Sequence, residues 1–242
     1  MSKEQQFMEK LYEESYKEIE KFEVARGKTK NEIFQLIGYS IVAYGQNLKS
    51  MQAKRYIINS VANMLTKDEK DVDEFLKVQL MANADKVCDF YGYKLSKKEK
   101  QEIVDRAFIG LNYKDRKKQH AESMKNKTHK LLLSLILGKI TLEKTKHNKK
   151  AFNKLMDKEF QSYVKKMERI FISETTRISN DIFLYQNKGK KVRYCSVLEK
   201  NTCADCRDLD GEVFLADEVY DLIPQHGWCK CYWEALEDKQ SL

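Results

Sequence analysis

Residues 191–242 read KVRYCSVLEKNTCADCRDLDGEVFLADEVYDLIPQHGWCKCYWEALEDKQSL. Five of the six cysteines lie in this stretch, with the one proline, Pro224, and both tryptophans. Cys203 and Cys206 are separated by two residues, which lets one turn aim both sulfurs at a single ion. His226 and Cys229 repeat that gap, and Cys231 follows two residues on. A structural zinc ion takes four nitrogen or sulfur ligands in a tetrahedron, commonly from two such close pairs. The spacing therefore predicts a zinc module held by Cys203, Cys206 and two of His226, Cys229 and Cys231.

Other readings of these residues compete less well. A redox CxxC is expected beside a βαβ pattern, and none is visible. Disulfides are disfavoured because no signal-peptide pattern opens the sequence and a reducing compartment is expected. Cys195 and Cys88 read as packed thiols. Asp208, Asp210, Gly211 and Asp217 imitate part of a calcium loop, but its first position would be Cys206, a soft ligand unsuited to calcium. A divalent-metal nuclease built from Asp205, Asp208, Asp210 and Glu212 has the same weakness. A Cys–His dyad with His226 as base is crowded by the other sulfurs. No phosphate-cradling glycine loop, HExxH pattern or Ser-His-Asp set is present, so no enzymatic activity is expected.

Upstream, the periodicity is helical almost throughout. Apolar spacing predicts helices over 3–25, 31–48, 51–65, 68–91, 96–108, 114–137 and 144–187. Gly27, Gly92, Gly110 and Gly189 are read as stops, and Ser96 with Glu99 as a capping box. The second helix is apolar on more than one face, which predicts burial; Gly38 and Gly45 would admit a close neighbour. The last helix is long enough to suggest a projecting or coiled-coil-like element. His120, His129 and His147 lie in polar helical terrain and read as surface residues. Short strands are expected over 192–198, 212–215 and 230–233. The fold class is mainly α: a multi-helix body and a long helix leading to a small, zinc-stabilised, β-rich C-terminal module. The implied domains are an N-terminal helical region (1–95), a basic helical region (96–190) and the Cys/His module (191–242).

The chain has 242 residues, 42% hydrophobic and 34% charged, enough to bury a real core. The one proline and nine glycines favour long helices. The longest apolar run, 131–137, is interrupted by Ser134 and is far too short to span a bilayer, so no membrane contact is expected. The net charge of +8 is concentrated: residues 111–150 hold twelve Lys/Arg against three Asp/Glu. A solvated helix face is one reading of such a block. The other is sequence-independent contact with the phosphates of double-stranded DNA through Lys114, Arg116, Lys117, Lys118, Lys125 and Lys127.

The segments TCADCRDLDG at 202–211 and PQHGWCKC at 224–231 resemble the C-terminal signature of phage head morphogenesis proteins, the minor head proteins typified by the F protein of phage Mu. That signature runs TCxxCxxLDG and then PPxHPxCRC. Here Ile223 replaces the first proline, Gly227 the proline after histidine, and Lys230 the arginine. The resemblance extends over about 102–236. Gly138 fits a glycine that punctuates the family's helix pair. Ile172, Ser173 and Glu174 stand where the family has Arg-Thr-Glu, so the glutamate is kept and the arginine is lost. Residues 1–95 match no named pattern. The resemblance implies a low-copy component of the virion head, assembled in the host cytoplasm, with portal and other capsid proteins as partners. A free zinc protein that binds nucleic acid is the alternative.

Overall fold

The computed structural model describes residues 2–44, 50–106, 111–140, 151–197 and 202–236. Gly45, Phe108, Gly110, Leu142, His147, Leu198 and the expected helical stretch 144–150 lie outside the described residues. The helices are α1 (Lys3–Tyr44), α2 (Met51–Tyr91), α3 (Lys97–Asp105), α4 (Tyr113–Ile136), α5 (Ala151–Gln186) and the short α6 (Ala204–Asp208). Three strands, β1 (Lys191–Cys195), β2 (Val213–Leu215) and β3 (Tyr232–Ala235), complete the mainly α fold.

Two pairs of expected helices are single helices. Gly27 lies inside α1 and meets nothing within 4 Å at its Cβ position. Glycine costs an exposed helix only about 1 kcal/mol against alanine, and α1 offsets that by burying Phe22 and Ile33 on either side. The expected break at 65–68 is likewise continuous in α2. The Ser96–Glu99 capping box forms as read: Glu99 N–H donates to Ser96 Oγ (3.2 Å) and Ser96 N–H donates to Glu99 Oε2 (2.7 Å). Gly92, Gly138 and Gly189 take positive φ at helix ends.

By contact the chain forms two units: residues 1–18, 76–115 and 169–242, and residues 19–75 and 116–168. Each of the stretches 1–95 and 96–190 contributes to both. The second unit is a four-helix bundle of α1, α2, α4 and α5. Phe22 stacks on Phe75 (5.0 Å between centroids), and Phe34 meets Phe152 edge-on (6.1 Å). Arg26 and Asp68 pair in its interior, where Arg26 also donates to the Asp68 carbonyl (2.9 Å).

In the first unit, α5 runs through the centre. Every residue from 170 to 184 is buried, so the expected projecting helix is instead enclosed on all sides. Its polar residues face partners. Thr176 meets Tyr12 Oη (2.9 Å), and Asn83 donates to Thr175 Oγ1 (3.0 Å) and Ser15 Oγ (3.2 Å). Arg177 donates to Glu174 (2.7 Å), to Asp181 (2.6 Å) and to the carbonyls of Ile103 (2.8 Å) and Val104 (3.0 Å) at the end of α3. These last bonds satisfy carbonyls that a helix C-terminus leaves open. Arg106 reaches Asp181 from outside (2.6 Å). Burial outweighs both guanidiniums and pushes Asp181 up to about 6.

The sheet is antiparallel, in the order β2-β1-β3, with Val192 opposite Phe214 and Tyr194 opposite Trp233. Val192 and Tyr194 point inward and the strand alternates accordingly. Trp233 meets Tyr194 edge-on at 5.4 Å and Phe214 at 5.8 Å. This small core includes Phe183 and Leu184 of α5 and three cysteines: Cys206, Cys229 and Cys231.

Candidate metal centre

The five Cys/His candidates converge. Cys203 is the N-cap of α6, and its sulfur accepts from Cys206 N–H at 3.3 Å. α6 carries Cys206 inward, where Tyr194 Oη donates to its sulfur (3.5 Å). Cys206 Sγ lies 3.7 Å from His226 Nε2 and 3.9 Å from Cys229 Sγ. The ligand atoms fall into two triads that share Cys206: Cys203, Cys206 and His226, and Cys206, Cys229 and Cys231. Within each triad they lie within 4.8 Å of one another. A tetrahedral zinc with ~2.3 Å bonds to sulfur places its sulfur ligands ~3.8 Å apart, so the measured edges fit this ion. No carboxylate enters either triad among the described residues. The aspartates of the calcium-like run are used elsewhere: Asp210 accepts from Ser196 N–H (2.6 Å) and Asp217 from Gly189 N–H (2.5 Å).

The histidine tautomer follows from its contacts. His226 Nδ1 lies 2.8 Å from the Gly227 carbonyl, which can only accept, so Nδ1 carries the proton. The lone pair of Nε2 is then directed at Cys206 and free to ligate. Fixing a ligand's far nitrogen in this way is what an outer-shell partner does at a metal site.

The thiols divide by environment. The Cys231 thiol beside Cys229 brings Cys229 down to about 6, against the opposing effect of burial. The same contact raises Cys231. Burial pushes Cys206 up to about 12. At Cys203, burial acts upward but is outweighed by the Cys206 N–H, the Cys206 thiol and His226 acting together, and the thiol is lowered. Cys195 stands apart, half-buried, pushed up to about 11 by burial. Cys88 is buried in α2.

α5 holds the cysteine loop by its backbone. Thr176 Oγ1 lies 2.8 Å from the Cys229 carbonyl, Asn180 Nδ2 donates to the Cys231 carbonyl (3.1 Å), and Trp233 N–H donates to Asn180 Oδ1 (3.1 Å). Spacing in sequence gives no sign of these pairs, which are more than fifty residues apart. Glu174, the glutamate kept from the Arg-Thr-Glu position, is fully buried against Arg177. A Cβ at Gly227 would lie 2.0 Å from Arg169 Nε, so the side chain of Arg169 fills the space beside the residue that replaces proline. Trp228 follows with a positive φ of 75° and a half-exposed ring.

The Phage Mu protein F like family matches residues 100–234, more than half of the chain. The chain belongs to this family. It is thereby a phage head morphogenesis protein, and the family match takes in most of α3, all of α4 and α5, and all five Cys/His positions. No curated protein and no solved structure matches the chain. No helix among the described residues is long and apolar enough to cross a membrane.

The basic residues of α4 are drawn into ion pairs. Lys117 is buried, 2.7 Å from Asp73 and 3.8 Å from Glu69, so it faces the bundle rather than a phosphate. Lys125 pairs with Glu69, Lys127 with Glu159 (2.9 Å) and Lys114 with Asp105 (2.7 Å). Arg116 is half-buried, and Lys118 is exposed. The expected all-basic exterior of this helix start is therefore in part an acid–base seam. Acidic residues of α2 and α5, remote in sequence, and Asp105 at the end of α3 supply the opposite charges.

Proposed function

We propose that this chain is a low-copy minor head protein that joins portal and capsid proteins inside the phage particle, its C-terminal module stapled by one structural zinc ion. The grouping of Cys203 and His226 about Cys206, whose sulfur lies 3.7 Å from His226 Nε2 and 3.9 Å from Cys229 Sγ, supports the metal. In this reading Cys203, Cys206, His226 and Cys229 are the ligands, and Cys231 is the adjoining buried thiol. Zinc there replaces part of the apolar core that some fifty residues cannot build alone. Membership of the head morphogenesis family supports the place in the virion.

DNA contact, in the same reading, falls to Lys118 and Lys130, which are exposed on α4. The alternative of a free nucleic-acid-binding zinc protein draws less support, because Lys114, Lys117, Lys125 and Lys127 are offset by carboxylates. Quantitative mass spectrometry of purified, nuclease-treated particles tests the proposal. A stoichiometric low-copy signal in heads is expected, with a marked loss when Cys203→Ser and Cys206→Ser are combined. Absence of the wild-type chain from particles and from assembly intermediates would discard the structural role.

A further inference from the structure

We propose that the free end of the α1–α2 hairpin, residues 37–44 and 51–57, is a docking surface for an apolar groove rimmed by carboxylates on another protein of the phage head. The proposal rests on the head-protein reading above. Its starting point is a mismatch between sequence and structure. An α-helix apolar on more than one face belongs in an interior, and the segment 31–44 has that pattern. Its inner face is buried as expected at Ile37 and Ser40, and Ala53 and Ile57 are buried on α2. Its outer face is not: Tyr39 is 74% exposed and Val42 86%, with Met51 at 63% and Tyr56 at 51% across the hairpin.

The bundle geometry explains why. Lys30 pairs with Asp157 and Phe34 meets Phe152, so α1 and α5 run antiparallel and Phe34 lies level with the second residue of α5. The remaining ten residues of α1, up to Tyr44, continue beyond the described start of α5. At 1.5 Å per residue this is an overhang of about 15 Å. Exposed apolar patches of this kind mark surfaces that are covered in an assembly.

Charge selects the occupant. No Asp or Glu occurs between Glu32 and Asp68, while Lys54 and Arg55 flank Met51 and Tyr56 on α2. Two copies of such an acid-free, basic surface repel one another. Phosphates gain nothing from Tyr39, Val42 or Met51. A groove with an apolar floor and an acidic rim satisfies both features, in the manner of helix-in-groove recognition.

The test places p-benzoylphenylalanine at position 42, or at the exposed control position 24 on the same helix, in phage-producing cells. Particles are then irradiated and the adducts sequenced. The expected result is a covalent adduct with a different head protein from position 42 and none from position 24. In parallel, Tyr39→Asp combined with Val42→Asp lowers incorporation into heads by at least about tenfold, while helix content and melting temperature of the purified protein stay unchanged. An adduct only with a second copy, no adduct although the chain is present in heads, or undiminished incorporation of the double variant overturns the proposal. So does sedimentation of the wild-type protein with phosphatidylglycerol vesicles that the double variant loses, since that makes the occupant a lipid surface. If the wild-type chain is missing from heads altogether, the head-protein reading fails first and this proposal falls with it.

Discussion

Replacing Arg177 by alanine is expected to unfold the unit that carries the metal centre. Arg177 is fully buried and holds two carboxylates, Glu174 and Asp181, and two backbone carbonyls, those of Ile103 and Val104. Removing one partner of a buried ion pair costs about 3–5 kcal/mol, because the other charge is left uncompensated. Each carbonyl stripped of its donor adds about 1–3 kcal/mol. Together these reach the ~5–15 kcal/mol that holds a whole domain. A companion variant separates lost charge from lost shape: Arg177→Met with Glu174→Gln and Asp181→Asn removes the charges together and keeps the volume. Replacing a buried ion pair by groups of similar volume is often close to neutral, but the carbonyls of Ile103 and Val104 still lose their donor and Arg106 loses the Asp181 charge, so this variant is expected to be destabilised, though less than Arg177→Ala. Urea unfolding followed by circular dichroism reads both. The reasoning is refuted if Arg177→Ala shifts stability by less than about 1 kcal/mol, the scale of one ordinary hydrogen bond, or if the triple variant is as unstable as the single one.

Thr176→Val should loosen the cysteine loop by about 1–3 kcal/mol, since the Cys229 carbonyl and Tyr12 hydroxyl lose their shared partner; faster hydrogen exchange over residues 229–235 and faster zinc loss to a chelator would show it. Gly211→Ala should cost about 1 kcal/mol from backbone strain alone, because φ is +86° and nothing lies within 4 Å of the added Cβ; a larger loss would mean that the turn is crowded after all. Lys117→Glu should disrupt the bundle of residues 19–75 and 116–168, placing a third acid beside Glu69 and Asp73. Lys118→Glu should leave the melting temperature unchanged and weaken duplex DNA binding at low salt; equal melting behaviour of the two variants contradicts the ion-pair assignment.

What the sequence made legible was local. The clustered Cys/His residues are recognisable because each pair lies within four residues, and the Ser96 cap because its two bonds span three. Helix lengths were misread at Gly27, where burial of neighbouring apolar residues overrides the small intrinsic cost of glycine. The misreading of α5 runs the other way. The run SETTRISND (173–181) looks like a solvated face, yet every one of these side chains is buried. Its partners, among them Tyr12, Asn83, Ile103 and Cys231, are drawn from four other parts of the chain. A period count along one helix carries no information about such partners. The ion pairs of the basic block were hidden for the same reason: Lys117 and Lys125 are answered by Asp73 and Glu69 of α2. At Tyr39 and Val42 the expected burial is not met, since both are exposed; a period count cannot tell an interior from a surface that a partner covers.

Zinc content of the purified full-length chain tests the central claim most directly, measured by native mass spectrometry on the wild type and on four single variants: Cys203→Ser, Cys206→Ser, His226→Ala and Cys229→Ser. The account predicts one zinc ion per wild-type chain, held through size exclusion and lost or greatly weakened in each variant. A wild-type chain that carries no zinc after growth with added metal, or variants that all retain it, would contradict the ligand set and the stapled module with it.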